Sequence, residues 1–251
     1  MIDLKDKRAL VTGGSRGIGA ATAQLFAEFG VHVAIGYRSR RADADAVVAA
    51  LRRRGVNALA HASDIGTRAG AEELVDVAAE ALGGLDFFVG NAGIWPCDDV
   101  PLRDMTDEQW RRTVVENLDS VFYTTRAALQ RISDGGRVVL VSSTAGQRGE
   151  ANHADYAATK GAVISFVKSL APELGPRAIT VNGVAPGWVD TEMCAGPFAA
   201  GGRERIAAAI PLQRIAAARD IAGPIVFLCS ELAQHITGEI LNVNGGSVLC
   251  G

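Results

Sequence analysis

Short apolar, β-branched runs alternate with longer Ala-rich stretches of helical period along almost the whole chain. Arg8 to Thr12 predicts a buried strand, followed by glycines and a helix over Ile18 to Phe29. Val31 to Tyr37 predicts a second strand with a helix over Ala42 to Arg54, and Asn57 to His61 a third with a helix over Arg68 to Leu82. Leu85 to Val89 is a fourth, leading into a long helix over Thr106 to Arg131. Val138 to Ser142 and Thr180 to Val184 are two more, with a helix over Ala154 to Leu174 between them. An irregular stretch, a helix near Ile221 to Leu228 and a last strand over Ile240 to Val243 complete the pattern. Strands that alternate with helices predict parallel βαβ units, and strands apolar without alternation predict helices on both faces. The expected fold class is α/β: one doubly wound, Rossmann-type parallel sheet in a single domain over residues 1–251. Its ligand belongs in the crevice at the carboxyl ends of the strands.

Composition narrows the partners. With 48% hydrophobic and 21% charged residues, 251 residues can fill a core, and a formal charge of −3 offers no basic field for nucleic acid. No apolar run approaches the roughly 18 residues that cross a bilayer, and Met1 to Arg8 is charged throughout. A cytoplasmic protein with neither membrane nor nucleic acid as partner is expected. Cys97, Cys194, Cys229 and Cys250 are not spaced as metal ligands and read as reduced thiols. His32, His61, His153 and His235 have no histidine partner at i+4, so no metal site is expected.

The first strand runs into Thr12-Gly13-Gly14-Ser15-Arg16-Gly17-Ile18-Gly19. Glycines let backbone approach a pyrophosphate closely, and the following helix offers free N–H groups to it. The spacing does not meet G-x-G-x-x-G, so an ordinary Gly-rich turn is the competing reading. The second strand ends in Tyr37-Arg38-Ser39 with no acid for a ribose 2′-hydroxyl. Arg38 and Arg16 suit a 2′-phosphate, which favours NADP(H) over NAD(H); the alternative is two solvated surface arginines.

Only four lysines and three tyrosines occur, yet Tyr156 and Lys160 stand at i and i+4, where random placement gives about 0.05 such pairs. On a helix that spacing puts both side chains on one face, and a nearby ammonium lowers a phenol's pKa. A tyrosine so tuned can exchange a proton with a substrate oxygen. Ser143, at the end of the fifth predicted strand, can hold the same oxygen; Ser142 is a close rival, and either can be a helix cap. No G-x-S-x-G elbow makes either a nucleophile.

Assembled, these residues resemble the short-chain dehydrogenase/reductase family over essentially the whole chain. T-G-x-x-x-G-x-G matches Thr12 to Gly19, the adenine-contacting Asp matches Asp64 beside Ile65, and N-N-A-G appears as Gly90-Asn91-Ala92-Gly93. The helix asparagine matches Asn117, the serine Ser143, and Y-x-x-x-K Tyr156 and Lys160. P-G-x-x-x-T matches Pro186-Gly187-Trp188-Val189-Asp190-Thr191. V-D-G-G becomes Val243-Asn244-Gly245-Gly246.

The resemblance implies hydride transfer between a nicotinamide and a carbonyl or carbinol carbon. Tyr156 is then the general acid/base, Ser143 positions the substrate oxygen, and Lys160 lowers the Tyr156 pKa and binds ribose. Asn117 holds a water behind Lys160. Ser15, Gly17 and Ile18 belong to the phosphate-binding turn, and Asn91, Ala92 and Gly93 are cofactor-binding. The segment of Pro186, Gly187, Val189 and Thr191 holds the nicotinamide, with Thr191 and the Val189 backbone on its carboxamide. A homotetramer or homodimer through the helices after the fourth and fifth strands is also implied; the apolar side of Val121, Phe122, Leu129, Phe166, Val167 and Leu170 fits such a contact and core packing equally.

The substrate is a small ketone or alcohol. Residues 188–211, with Met193, Cys194 and Phe198 among glycines, read as a substrate lid. Trp95, His153, Trp188 and Met193 are the expected substrate-side residues with Ser143. The nearest likeness is to 3-oxoacyl-(acyl carrier protein) reductases, with Arg177 at a carrier-docking position; sugar, polyol, steroid and other small alcohols are rivals. A non-catalytic NADP-binding scaffold is the reading of a different class.

Overall fold

The computed structural model describes residues 2–249, so Cys250 lies outside the described residues. Strands β1 (Arg8–Thr12), β2 (His32–Tyr37), β3 (Ala58–Ala62) and β4 (Leu85–Gly90) alternate with helices α1 (Gly17–Glu28), α2 (Arg41–Arg52) and α3 (Arg68–Leu82). Helices α4 (Asp107–Val114) and α5 (Ser120–Leu129) follow, then β5 (Ile132–Val141), α6 (Thr144–Arg148), α7 (Ala154–Leu174) and β6 (Thr180–Pro186). The two-residue strands β7 (Val189–Asp190) and β8 (Ala216–Ala217) flank α8 (Ala195–Phe198) and α9 (Gly202–Ala209). Helix α10 (Ala218–Leu228) and β9 (Ile240–Val243) close the fold.

Seven strands form one parallel sheet in the order β3-β2-β1-β4-β5-β6-β9. Successive side chains of a strand point to opposite faces, and here both faces are covered. Ala9 and Val11 of β1, Phe87 and Val89 of β4 and Val139 of β5 pack with Phe26, Ile221, Ile225 and Leu228 from α1 and α10. Leu10, Phe88, Val138 and Leu140 pack on the other face with Leu74, Val121, Val163 and Val167 from α3, α5 and α7. This double burial is why the strands are largely apolar without a period-two alternation. The strand order reverses between β1 and β4, and that switch point opens the crevice at their carboxyl ends.

Three differences from the predicted elements have local causes. The helix expected over 106–131 is interrupted by a π turn, Val115–Asp119, in which the Ser120 N–H reaches back to the Val115 carbonyl. Strand β5 begins at Ile132, because a bulge between Leu85 and Phe87 absorbs the exposed Ser133 to Gly135 before regular pairing resumes at Arg137. Within 188–211 the irregular stretch holds β7, α8 and α9.

The helix faces expected to carry an oligomer contact divide. Val121, Val167 and Leu170 are buried in the core, and Leu129 and Phe166 pack against it. Phe122 alone of the six is exposed, at 41%. Among the described residues no helix is long and apolar enough to cross a membrane. Cys97, Cys194 and Cys229 are free thiols.

Candidate active site

A cleft of about 670 Å³ follows the carboxyl ends of the strands from the glycine turn to the start of α7. The turn needs its glycines. Gly17 sits at φ +55, and a Cβ on Gly19 would stand 2.3 Å from the Gly13 carbonyl and 2.6 Å from Asn91 Nδ2. Helix α1 begins with neither a side-chain cap nor an acid in its first turn, so its first N–H groups face the cleft unspent. Gly13, Ser15, Arg16, Gly17 and Ile18 line this end; Gly19 lies behind them, spacing α1 from β4.

Thr12 and Asn91 tie the switch point together. Thr12 Oγ1 accepts the N–H groups of Asn91 and Ala92 at 3.0 Å each, and Asn91 Nδ2 donates to the Thr12 carbonyl at 2.9 Å. Asn91, Ala92 and Gly93 thereby line the middle of the cleft with Pro186, Gly187, Val189 and Thr191 opposite. Asp64 and Ile65 line its far wall, with Asp64 Oδ1 accepting the Gly66 N–H at 3.1 Å.

Arg38 and Ser39 stand where β2 ends, and the three guanidinia of this region, those of Arg16, Arg38 and Arg40, hold carboxylates from other parts of the chain. Arg38 pairs with Glu116, and Arg16 with Glu192, which Arg40 also contacts at 3.0 Å. These pairs are exposed, so an incoming phosphate dianion can exchange with the carboxylates at little cost.

At the other end of the cleft the two adjacent serines separate. Ser142 Oγ donates to the Lys160 carbonyl at 2.7 Å and is buried. Ser143 caps α6, accepting the Ala145 N–H at 3.1 Å, and faces the cleft beside Tyr156. An extended strand end turns successive side chains to opposite sides. Both serines line the cleft, but the Ser142 hydroxyl is spent on the Lys160 carbonyl while Ser143 stands beside Tyr156.

Tyr156 and Lys160 lie one turn apart on α7 and both line the cleft. Burial pushes the Tyr156 phenol above its usual pKa, a hydrogen bond with Ser143 pulls it down, and the Glu150 carboxylate raises it further. The expected lowering by Lys160 is absent from that balance. The Lys160 ammonium is turned to the Val141 carbonyl at 2.9 Å and stands 5.8 Å from the Tyr156 ring centroid. Burial lowers Lys160 itself to about 8.

Asn117 lies in the π turn behind Lys160, fully buried. Its Oδ1 accepts the Ile94 N–H at 2.7 Å, and its Nδ2 donates to the Ile94 carbonyl at 2.9 Å and Thr159 Oγ1 at 3.3 Å. The side chain of Asn117, the residue expected to hold a water, is thus engaged with protein. It clamps the segment after β4 against α7, a use that π turns inside helices often serve.

Trp95, Trp188 and Met193 line the substrate end, and His153 does not. His153 is 3% exposed, lies under Trp95 at 5.0 Å between ring centroids, and holds Asp99 at 3.2 Å through Nε2. It precedes α7 with φ −133 and ψ 45, so helical spacing to Tyr156 does not apply to it. Trp95 also meets Tyr156 at 6.5 Å and Trp188 at 5.7 Å, and Trp188 meets Phe198 at 5.9 Å. These rings form one wall from the phenol to α8. Residues not expected from the sequence join the site, Glu116 and Glu192 as arginine partners and Glu150 beside the phenol, and Thr12, known from the glycine motif, acts as the tie.

Both departures in the motifs fit their surroundings. A Cβ on Gly90 would approach Leu140 Cδ2 to 2.7 Å. Asn244 donates from Nδ2 to the Val248 carbonyl at 3.0 Å while Oδ1 accepts the Gly246 N–H at 2.9 Å, which an aspartate could only half supply.

The family model described as Enoyl-(Acyl carrier protein) reductase matches residues 13–247. The chain is 38% identical to a 3-oxoacyl-[acyl-carrier-protein] reductase of Synechocystis sp., covering 99% of this chain and 100% of that protein. It is also 38% identical to an L-rhamnose 1-dehydrogenase (NAD(P)(+)) of Azotobacter vinelandii, covering 97% of each. A short chain dehydrogenase from Burkholderia cenocepacia, solved in complex with NADP, superposes with a TM-score of 0.92 at 38% identity, covering 97% of this chain and 98% of that one.

Proposed function

This chain belongs to the short-chain dehydrogenase/reductase family, oxidoreductases that act on CH–OH or keto groups, and on that premise we propose that it interconverts a ketone and a secondary alcohol with NADP(H). The nicotinamide, when bound, supplies or accepts the hydride. The observation that carries the reading is the meeting of Ser143 and Tyr156 in the same cleft as the glycine turn and the unspent N–H groups of α1.

Each residue then has a physical task. Tyr156 gives a proton to the substrate oxygen in reduction and takes it back in oxidation. Its raised pKa keeps it protonated, which suits the donor role. Ser143 holds that oxygen, and Lys160 hydrogen-bonds ribose from its place behind the phenol. Asn117 positions the Ile94 segment. The Ser15, Arg16, Gly17 and Ile18 end binds the pyrophosphate, Arg38 and Ser39 the 2′-phosphate, and Asp64 and Ile65 the adenine. Asn91, Ala92, Gly93, Pro186, Gly187, Val189 and Thr191 frame the nicotinamide half, with Gly13 and Gly19 giving the backbone room. Trp95, Trp188 and Met193 enclose the substrate, and residues 188–211 are its cover. Arg38 and Arg40 after β2, Arg16 in the glycine turn, and no unpaired acid beside them support NADP(H) over NAD(H).

Two substrate readings divide on one residue. A 3-oxoacyl thioester follows from likeness to the Synechocystis reductase, and a sugar or polyol from likeness to the Azotobacter dehydrogenase. Arg177 weighs against carrier docking, because its guanidinium is engaged by Asp134 at 2.8 Å and by the Leu129 and Ile132 carbonyls at 3.0 and 2.8 Å. The reading includes a cytoplasmic homo-oligomer, for which Trp110 and Phe122 on α4 and α5 offer exposed apolar surface.

Single-turnover oxidation of NADPH with a panel of ketones and 3-oxoacyl thioesters tests the function. Tyr156→Phe should slow turnover about 10²- to 10⁴-fold and leave NADPH affinity nearly intact. Cofactor binding with no turnover of any ketone would leave only the non-catalytic scaffold.

A further inference from the structure

Five carboxyls line the cleft: Asp64, Glu116, Glu150, Asp190 and Glu192. Glu116, Asp190 and Glu192 are each paired with an arginine, and Asp64 accepts the N–H of Gly66 within its own turn. Glu150 is different. Among the described residues its carboxylate makes no ion pair and no hydrogen bond of ordinary length.

Its place is built. Glu150 lies in the turn between α6 and α7, where Gly149 and Asn152 both take positive φ, at 77 and 64. The Asn152 carbonyl accepts the Val100 N–H at 3.1 Å, and His153 holds Asp99, so two contacts fasten this turn to the loop after β4. The carboxyl therefore stands over the cleft beside Trp95, close enough that its charge is felt by the Tyr156 phenol and the Cys194 thiol. Trp95 Nε1 is buried with no partner at ordinary distance, and the indole is turned to this carboxyl. Burial raises the Glu150 pKa, while the charges of His153 and Arg148 work the other way and that of Asp99 adds to the rise. An aromatic wall with a carboxylate that no cation pairs, beside the proton-transfer group, is a recognition arrangement: rings take the apolar edge of a ligand, and the carboxylate, with only the Trp95 indole turned to it, has lone pairs left for a donor.

We propose that Glu150 is the specificity-determining residue of this site, accepting a hydrogen bond from a hydroxyl beside the reacting carbonyl and selecting hydroxylated ketones and their diols over alkyl ketones and keto acids. The inference rests on the ketone–alcohol reading above. A half-buried carboxylate loses water when a ligand covers it, so a hydroxyl restores what was lost and an alkyl group does not. A second carboxylate placed there meets like charge and desolvation together.

Three ligands sharing one propanoyl half separate these terms: 1-hydroxybutan-2-one, pentan-3-one and 2-oxobutanoate. Reduction by NADPH is followed for the wild type, Glu150→Gln and Glu150→Leu, and binding to the cofactor-loaded protein is followed by tryptophan fluorescence, since Trp95 and Trp188 line the cleft. The wild type should favour the hydroxyketone over pentan-3-one at least about tenfold in kcat/KM, because a site built for a hydroxyl discriminates strongly against its absence. Glu150→Leu should bring that ratio near one, because the hydroxyketone loses far more than pentan-3-one, whatever common change the removed charge makes through the Tyr156 phenol. Glu150→Gln should keep part of the preference and gain activity on 2-oxobutanoate. A ratio unchanged by Glu150→Leu, or an equal fall on all three substrates with both variants, overturns the proposal. Turnover with no hydroxyl preference sinks this inference and leaves the ketone–alcohol reading standing. Binding preference that Glu150→Leu removes, without turnover of any ketone, does the reverse.

Discussion

Replacing Lys160 by methionine should make the fold's pH dependence visible. Lys160 is 4% exposed, and burial lowers its ammonium from 10.5 to about 8. At pH 7 it is charged in both the folded and the unfolded chain. The folded state then bears the whole cost of the lowered value, about 3 kcal/mol at about 1.36 kcal/mol per pKa unit. Raising the pH through 8 lets the folded amine lose its proton first, so stability climbs until the unfolded amine titrates near 10.5. By pH 10 less than about 1 kcal/mol of the cost remains. Methionine removes the charge but leaves the Val141 carbonyl without its donor, a loss of about 1–3 kcal/mol. Lys160→Met should thus match the wild type or exceed it by up to about 2 kcal/mol at pH 7, and fall back by about 2.5 kcal/mol relative to it at pH 10. Urea unfolding of both proteins at the two pH values, at one protomer concentration, measures this difference. A gap between the two that stays constant within about 0.5 kcal/mol from pH 7 to pH 10 would refute the buried-ammonium argument.

Two other changes test separate parts of the cleft. Arg38→Asp should raise the KM for NADPH about 10- to 100-fold, the worth of a charge-assisted hydrogen bond, while the KM for NADH stays level or falls; equal changes for both cofactors would contradict the phosphate assignment. Asn117→Ala should destabilise the fold by about 1–3 kcal/mol, since the part-buried Ile94 N–H and carbonyl lose their partners. It should also lower kcat, and thermal unfolding together with steady-state rates would expose a mistake if stability alone stayed constant.

The sheet was legible because burial on both faces makes β1, β4 and β6 largely apolar with no polar–apolar alternation, and the Tyr156–Lys160 spacing was legible because both sit on regular helix. The π turn was hidden, since one extra residue in a continuous helical pattern changes no period that a 25-residue stretch would betray. His153 misled for a related reason: spacing to Tyr156 implies a shared face only if both residues are helical, and His153 is not. The arginine partners were illegible in principle. Arg38 meets Glu116 and Arg16 meets Glu192 only after the chain has crossed the sheet several times. Glu150 carries no local signal either, because a turn between two helices can aim a carboxyl at solvent as easily as at a cleft.

Ser142 and Ser143 divide their labour in a way that bears on how such a scaffold changes use. The first bolts β5 to the backbone of Lys160, so the strand end and the helix bearing the phenol move as one piece. Trp95, Glu150 and Met193 arrive instead from three separate connections. Evolution can therefore rewrite what the protein accepts by altering loops singly, while the hardware for moving the proton is inherited untouched.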